Sequence, residues 1–318
     1  MHIKKINVVD LYEIILNNQE FICKKYSYSK EISRDAVINN LFERLRQEDS
    51  KAIGLGLFDE SGRIHGGIII HSSEWDTQHF GIEIGKVDLL IFDELIRLEN
   101  RLKFLEEIGK ELSGEFDVVF LRHTLSDYRT ITALSKVGWM LTDVLLTFHR
   151  DPRGLNSQGI ERDRLLQVRE AQGKDENKIE NLARVSFRMS HFHSDPNIPY
   201  ELSDELYAKW IISILNDPSS KVFVAEDEDG VCGFITCSIR SLIDGTSYGI
   251  IDLVAVDRDK RGRGIGKLLL SKALEWFSSH VSSVFVGTQA SNIPAIRLYE
   301  GMGFKLVESE ATFHLWIK

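Results

Sequence analysis

Two stretches of this 318-residue chain align without a gap: "TLSDYRTITALSKVGWMLTD" and "QASNIPAIRLYEGMGFKLVE". Gly138-Trp139 falls on Gly303-Phe304, an offset of 165 (303 − 138), and the same offset sets Asp127 on Asn292 and Leu134 on Tyr299. Self-similarity at a fixed offset indicates one supersecondary unit used twice, although two unrelated βαβ units also produce such a likeness. The length suits two domains, each large enough to bury a core without covalent staples.

Strand and helix signals alternate through both halves, which predicts an α/β protein, or α+β with a mixed sheet. In the first half, 51–71 reads as a hairpin, followed by a strand (82–91), a helix (94–112), a strand (117–123) and a short helix (126–137). In the second, 165–171 reads as a strand and Asp175 as the cap of a helix running to about Arg188. A loop over 190–204 precedes a helix at 205–215, and 221–240 reads as a hairpin with an Asp-Gly turn. A strand (248–256), a helix (265–280), a strand (283–289), a helix opened by Pro294 (294–301) and two terminal strands complete it. The polar segment 151–163 carries Pro, Gly and charge without periodicity. It reads as a linker between domains at 1–150 and 164–318.

Composition excludes several classes. The net charge of −9 argues against nucleic-acid binding through a broad basic field. Cys23, Cys232 and Cys237 are odd in number and lack CxxC spacing, which points to a reducing, cytoplasmic setting. Asp10 and Glu13 interrupt any N-terminal apolar core, so a signal peptide is not expected. No window approaches the roughly 18 uncharged apolar residues of a membrane span.

Against this acidic background stands "DRDKRGRGIGKLLL", residues 257–270, between a strand and a helix. A helix start offers unpaired N–H groups and the positive end of a dipole, and glycines let backbone amides approach a ligand. Phosphate is the natural guest. A nucleoside triphosphate loop needs GxxxxGK[ST], but Leu268 follows Gly266-Lys267 and Arg261 stands where the first Gly belongs. The dinucleotide fingerprint needs GxGxxG, and the spacing here is GxGxG. The first half has no glycine loop at the corresponding place, and has Leu134 for Tyr299, so any chemistry carried there belongs to the second half alone.

The pattern that fits is R-x-x-G-x-G, made by Arg261, Gly264 and Gly266, with Asn292, Tyr299 and Gly303-Phe304 following in order. Residues 164–318 thereby resemble the GCN5-related N-acetyltransferase (GNAT) superfamily. The resemblance implies two tandem folds of this type, the N-terminal one degenerate and without a cofactor loop. It implies acetyl-CoA as cosubstrate and no metal. The diphosphate of coenzyme A is expected on the amides of Arg261, Gly262, Arg263, Gly264, Ile265, Gly266 and Lys267. Its pantetheine arm is expected along Val254, Ala255 and Val256 as an added strand, with Asn292 bonding the same arm. Tyr299 is the candidate general acid, since a free tyrosine with a pKa of about 10 is protonated at neutral pH. Asp252 is the candidate base, with His191 and His193 as rivals.

The segment "SHFHSDPNIPYELSDELYAKWI" is similar to one in TDP-fucosamine N-acetyltransferases, sharing Ser-x-Phe and the Tyr207-Ala208-x-Trp210 helix. Trp75, Phe80 and Gly81 match the W-x-x-x-x-F-G of their degenerate N-terminal domain. The likeness implies a dTDP-linked amino-dideoxy sugar as acceptor, a precursor of a surface polysaccharide such as lipopolysaccharide. Trp75, Phe80, Arg188, His191, His193 and Tyr207 are the expected substrate contacts, with Lys209 nearby. Alternatives are another amine (an aminoglycoside, a polyamine or a protein amine) or a non-catalytic acyl-CoA-binding module. A homodimer is expected from the family; nucleic-acid and membrane partners are not. The role of residues 1–70 is not legible.

Overall fold

The computed structural model describes residues 1–48, 52–154 and 166–317. It divides into two compact units. The first comprises Met1–Ser27, Ile32–Leu145 and Glu308–Lys318; the second comprises Tyr28–Glu31 and Leu146–Val307. Residues 155–163 of the expected linker lie outside the described residues. The boundaries expected at 150 and 164 give one break in the chain, whereas the units also exchange residues 28–31 and 308–318.

The first unit opens with β1 (His2–Lys5), α1 (Tyr12–Asn17), α2 (Gln19–Ile22) and α3 (Arg34–Glu48). The hairpin β2 (Ile53–Phe58) and β3 (Ile64–Ser72) follows, then α4 (Glu74–Phe80), β4 (Ile84–Phe92), α5 (Leu98–Glu111), β5 (Val118–Thr124), α6 (Tyr128–Lys136) and β6 (Met140–Arg150), whose residues from Leu146 on belong to the second unit. The strand order is β1-β2-β3-β4-β5. The first four pair antiparallel, and β4 runs parallel to β5 only over Ile84–Lys86 against Val118–Phe120. Phe104, Leu105 and Ile108 of α5 sit one and four residues apart, so one helical face covers Leu55, Ile68 and Ile70 of the sheet. Helix α5 begins at Leu98 and not at 94, because Asp93 turns the chain first: its Oδ1 accepts from Leu95 N at 3.1 Å.

The second unit runs through β7 (Gln167–Glu170), α7 (Glu176–Ser186, with Asp175 at its N-cap), α8 (His191–Ser194) and α9 (Tyr200–Leu215). The expected loop over 190–204 is therefore largely helical; α9 starts directly after Pro199, whose fixed φ suits a helix entry. The hairpin β8 (Ser220–Asp227) and β9 (Gly230–Ser241) turns at Gly230, φ 104°. Then come β10 (Ser247–Ile251), β11 (Val254–Val256), α10 (Ile265–Ser278), β12 (Val284–Gln289), α11 (Ile293–Gly301) and β13 (Lys305–Trp316). The strand order is β6-β12-β10-β9-β8-β7.

The strand expected over 248–256 is two strands. Gly249–Ile251 pair in parallel with Val284–Val286 of β12. Beyond Asp252, Thr236 on β9 takes over: its Oγ1 accepts from Leu253 N at 2.9 Å, and β11 pairs with β9 alone. The edge of β11 turned from β9 thus has no partner strand among the described residues.

The two expected terminal strands are one, β13, since "KLVESEATFHLW" contains neither Gly nor Pro to break it. From Glu310 to Trp316 it pairs antiparallel with Thr124 to Val118 of β5, inside the first unit.

The internal repeat is a repeat of geometry. Asp127 and Asn292 cap α6 and α11 with their side chains, accepting from Thr130 N and Ala295 N. Both helices end at a left-handed glycine, Gly138 (φ 90°) and Gly303 (φ 82°). Trp139 N donates to Leu134 O at 3.1 Å, and Phe304 N donates to Tyr299 O at 3.0 Å.

Candidate active site

In the loop between β11 and α10, Gly262 (φ 81°) and Gly264 (φ 78°) are left-handed, a conformation that costs an L side chain about 1–2 kcal/mol. Lys267 N and Leu268 N turn in to Gly264 O at 3.0 and 3.1 Å. The N–H groups of Gly262, Gly264, Ile265 and Gly266 donate to no protein acceptor among the described residues. A Cβ on Gly266 would stand 2.9 Å from Leu298 Cδ2, so this glycine lets α10 approach α11.

These amides open into a cleft of about 1200 Å³ within the second unit. Val254, Ala255 and Val256 form one wall, the segment from Lys178 to Met189 another, and Asn292 to Leu298 part of a third. Helix α7 serves two sides: Ile179 and Ala183 are buried away from the cleft, while Lys178, Asn181, Leu182 and Val185 line it. Arg258, Arg261, Lys267 and Arg297 also line it and make no ion pair among the described residues. Arg261 Nε donates to Val256 O at 3.1 Å, tying the loop to the strand.

The other two cations of the loop face elsewhere. Lys260 Nζ lies 2.9 Å from Asp227 Oδ2 and also contacts Asp229, and Arg263 lies 3.0 Å from Asp227 Oδ2. The hydrogen bond from Lys260 holds the Asp227 carboxyl below its usual range, against the cost of burial. These pairs anchor the loop to the β8–β9 turn. Arg263, expected among the cofactor contacts, is not part of the cleft wall; the other ten are.

Asn292 uses both ends of its amide within the protein: Oδ1 accepts from Ala295 N at 3.4 Å and Nδ2 donates to Thr288 Oγ1 at 3.1 Å. Tyr299 is buried between the rings of Phe148 (5.9 Å) and Phe304 (6.0 Å), and burial pushes its pKa up, so it stays protonated. It does not itself line the cleft, though Leu298 and Ala295 beside it do. Asp252 sits at the break between β10 and β11 and accepts from Ser238 Oγ at 2.6 Å. Burial raises its pKa and the serine opposes the rise, which makes it a stronger base than a free carboxylate.

On the α7–α9 side, Arg188 lines the cleft and lies 3.3 Å from Asp204 Oδ2. His193 is buried between Ser190 Oγ (2.7 Å) and Asp204 Oδ1 (3.0 Å), and burial lowers its pKa. Tyr207 is buried against the Phe187 ring at 4.9 Å, and His191 packs on Phe192 at 3.8 Å. None of these three lines the cleft. Trp75 and Phe80 belong to the first unit, where Trp75 is exposed and stacked on His79 and Phe80 is buried edge-on against the same ring. Among the described residues no group of three or more His, Cys, Asp or Glu is arranged to hold a metal ion.

The first unit treats the corresponding position differently. No glycine lies between β4 and α5. The buried Arg101 of α5 points its guanidinium at the α6 cap, 2.8 Å from Asp127 Oδ1 and 2.5 Å from Thr130 Oγ1, and lies 4.9 Å over the Phe92 ring. His123 Nε2 is 3.2 Å from Asp127 Oδ2. Burial opposes ionisation of Asp127, but bonds from His123 and Thr130 outweigh it and hold the carboxyl well below its usual range. Sequence reasoning passed over Arg101 and Asp204. The exchange of Asn for Asp at the cap was the available signal, because a half-buried carboxylate needs a cation.

A strand that leaves its neighbour beside a glycine-rich helix start, with open amides and unpaired cations around it, fits the diphosphate and extended arm of an acyl-coenzyme A. Those features define an acetyltransferase domain. Residues 178–304 match the model of the acetyltransferase (GNAT) family. The chain is 25% identical over 294 residues to the spore coat polysaccharide biosynthesis protein SpsD of Bacillus subtilis (strain 168), covering 92% of this chain and 98% of that one. Its fold matches a GCN5-related N-acetyltransferase from Sphaerobacter thermophilus with a TM-score of 0.62 at 17% identity, covering 99% of this chain and 96% of that one. It also matches a tandem GNAT protein from the clavulanic acid biosynthesis pathway with a TM-score of 0.54 at 11% identity, covering 100% and 98%. The family match thus runs from α7 through α11 and makes the second unit an acetyltransferase domain of the GNAT type. Among the described residues no helix is long and apolar enough to cross a membrane.

Proposed function

We propose that the protein acetylates the amine of a dTDP-linked amino-dideoxy sugar destined for a surface polysaccharide. The observation that carries this reading is the likeness to a polysaccharide biosynthesis protein along nearly its whole length, not only across the cofactor domain. The sugar-binding side would be built on the segment 187–204, where Arg188 supplies a cation on the cleft wall for the acceptor's diphosphate.

Acetyl-CoA, when bound, supplies a thioester whose acyl carbon is open to attack by an amine. The amides of Gly262, Gly264, Ile265 and Gly266, with Arg261 and Lys267, bind its diphosphate at the positive end of α10. The unpaired edge of β11 holds the pantetheine arm in line, and a β11 N–H stabilises the carbonyl oxygen as charge builds on it. Asp252, two residues before Val254 and set back from the cleft wall, takes through water the proton that the attacking amine must lose. Tyr299, which keeps its proton behind Ala295 and Leu298 of the cleft wall, is the source we propose for the proton that the departing thiolate takes up, so the products are an amide and a free thiol. Incubating the protein with acetyl-CoA and a dTDP-amino sugar, and following free thiol, tests the reading. Thiol released with spermidine or an aminoglycoside and not with the sugar nucleotide overturns it.

A further inference from the structure

We propose that Asp204 is a positioning residue that fixes Arg188 on the cleft wall to receive the anionic diphosphate of the acceptor. The inference rests on the nucleotide-sugar reading. Its basis is a chain of hydrogen bonds with a defined direction. Ser190 Oγ lies 2.7 Å from His193 Nδ1, His193 Nε2 lies 3.0 Å from Asp204 Oδ1, and Arg188 NH2 lies 3.3 Å from Asp204 Oδ2.

The His193 side chain is 2% exposed, and its burial disfavours the charged ring, so the imidazole carries one proton. Asp204 is an acceptor only, which assigns that proton to Nε2. Nδ1 is then an acceptor, and Ser190 donates to it. Ser190 is itself buried at the N-cap of α8, so the far end of the chain is anchored in backbone. One Asp204 oxygen is thereby spent on His193, and the other is presented to Arg188. Arg188 is half-exposed and contacts Asp204 through one nitrogen, so its other N–H groups remain for a ligand. The Tyr200 ring supports the guanidinium from 5.7 Å. A flexible arginine loses entropy when it binds an anion; one held in place beforehand loses less.

Calorimetric titration of the protein with dTDP, and separately with acetyl-CoA, tests this on wild type, Asp204→Asn, Arg188→Ala and the double variant. Each single change should weaken dTDP binding about tenfold, as expected for one charge-assisted contact. The double variant should be no weaker than Arg188→Ala, because Asp204 acts through that residue. Acetyl-CoA affinity should stay within about twofold of wild type, which also shows that the fold is intact. Unchanged dTDP binding in Arg188→Ala, additive losses in the double variant, or an equal loss of acetyl-CoA binding overturns the proposal. Wild type that binds acetyl-CoA but not dTDP sinks the nucleotide-sugar reading itself. If Asp204→Asn does not fold, Arg188→Ala and the rescue of binding by Asp204→Glu decide the matter.

Discussion

Asn292 and Asp127 occupy one position in two copies of a fold, each accepting a backbone N–H at the start of a nine-residue helix. They differ in a single group, an amide nitrogen against a carboxylate oxygen. Asn292 is neutral, and it lines the second unit's cleft. Asp127 is charged and has drawn the guanidinium of Arg101 onto itself. An internal cation thus sits on the first unit's cap, whereas the matching position in the second borders open space.

Removing that cation leaves a half-buried carboxylate without its guanidinium. Arg101→Met should destabilise the first unit by about 3–5 kcal/mol. Acetyl-CoA affinity should be unchanged, since the cleft lies wholly in the second unit. Urea denaturation and calorimetry together check both halves of the statement.

Gly264→Val forces a side chain into a left-handed position at the head of α10. Acetyl-CoA binding should weaken about 5- to 30-fold, the equivalent of the 1–2 kcal/mol strain displacing the amides. Gly245→Val is the control: it carries the same strain (φ 85°) in the β9–β10 turn, outside the cleft lining, and cofactor affinity should not respond.

Tyr299→Phe removes a hydroxyl and keeps the ring packed between Phe148 and Phe304. Turnover should fall about 10²-fold or more with acetyl-CoA affinity retained. Because the phenol's pKa is raised, wild-type turnover should show no alkaline loss from this group up to the ordinary tyrosine range. Steady-state kinetics at several pH values would show either failing.

Asp252 makes a complementary pH prediction. Its elevated pKa sets an acid limb on turnover, and the Ser238 hydroxyl lowers that pKa by favouring the charged form. Ser238→Ala should therefore shift the acid limb to higher pH. A limb that stays put would remove Asp252 as the base.

Glu308, buried on β13, is pushed up to about 7 by burial and then by the neighbouring Glu310. A carboxyl raised from 4.5 means the folded chain holds its proton more tightly than the unfolded one. That contribution is full below about pH 4.5 and lost as pH rises through 7. Glu308→Gln should stabilise the protein by on the order of 2 kcal/mol at pH 8 and hardly at all at pH 4. Denaturation midpoints at the two pH values measure it.

The glycine loop and the repeat were legible because each depends on local chemistry: a left-handed glycine, a dipole, a recurring helix and turn; Asp175, expected to cap α7, stands at its N-cap but makes no capping bond and pairs with Arg169 instead. Charge assignment within the loop was not, because Lys260 and Arg263 are claimed by Asp227, more than thirty residues earlier. The break at Asp252 was hidden for a similar reason. Residues 248–256 have uninterrupted strand character, and the interruption comes from Thr236 on the neighbouring strand. Nothing within the helix sequence singles out Arg101, because only tertiary contacts bury it.

The pairing of β13 with β5 has a consequence for synthesis. The first unit's sheet lacks its final strand until residues 308–316 have left the ribosome, by which time nearly all of the second unit has been made. During that interval β5 presents a bare edge of the kind that invites pairing with other chains. The N-terminal half is the earlier of the two to be translated, yet the last strand of its sheet is the last made.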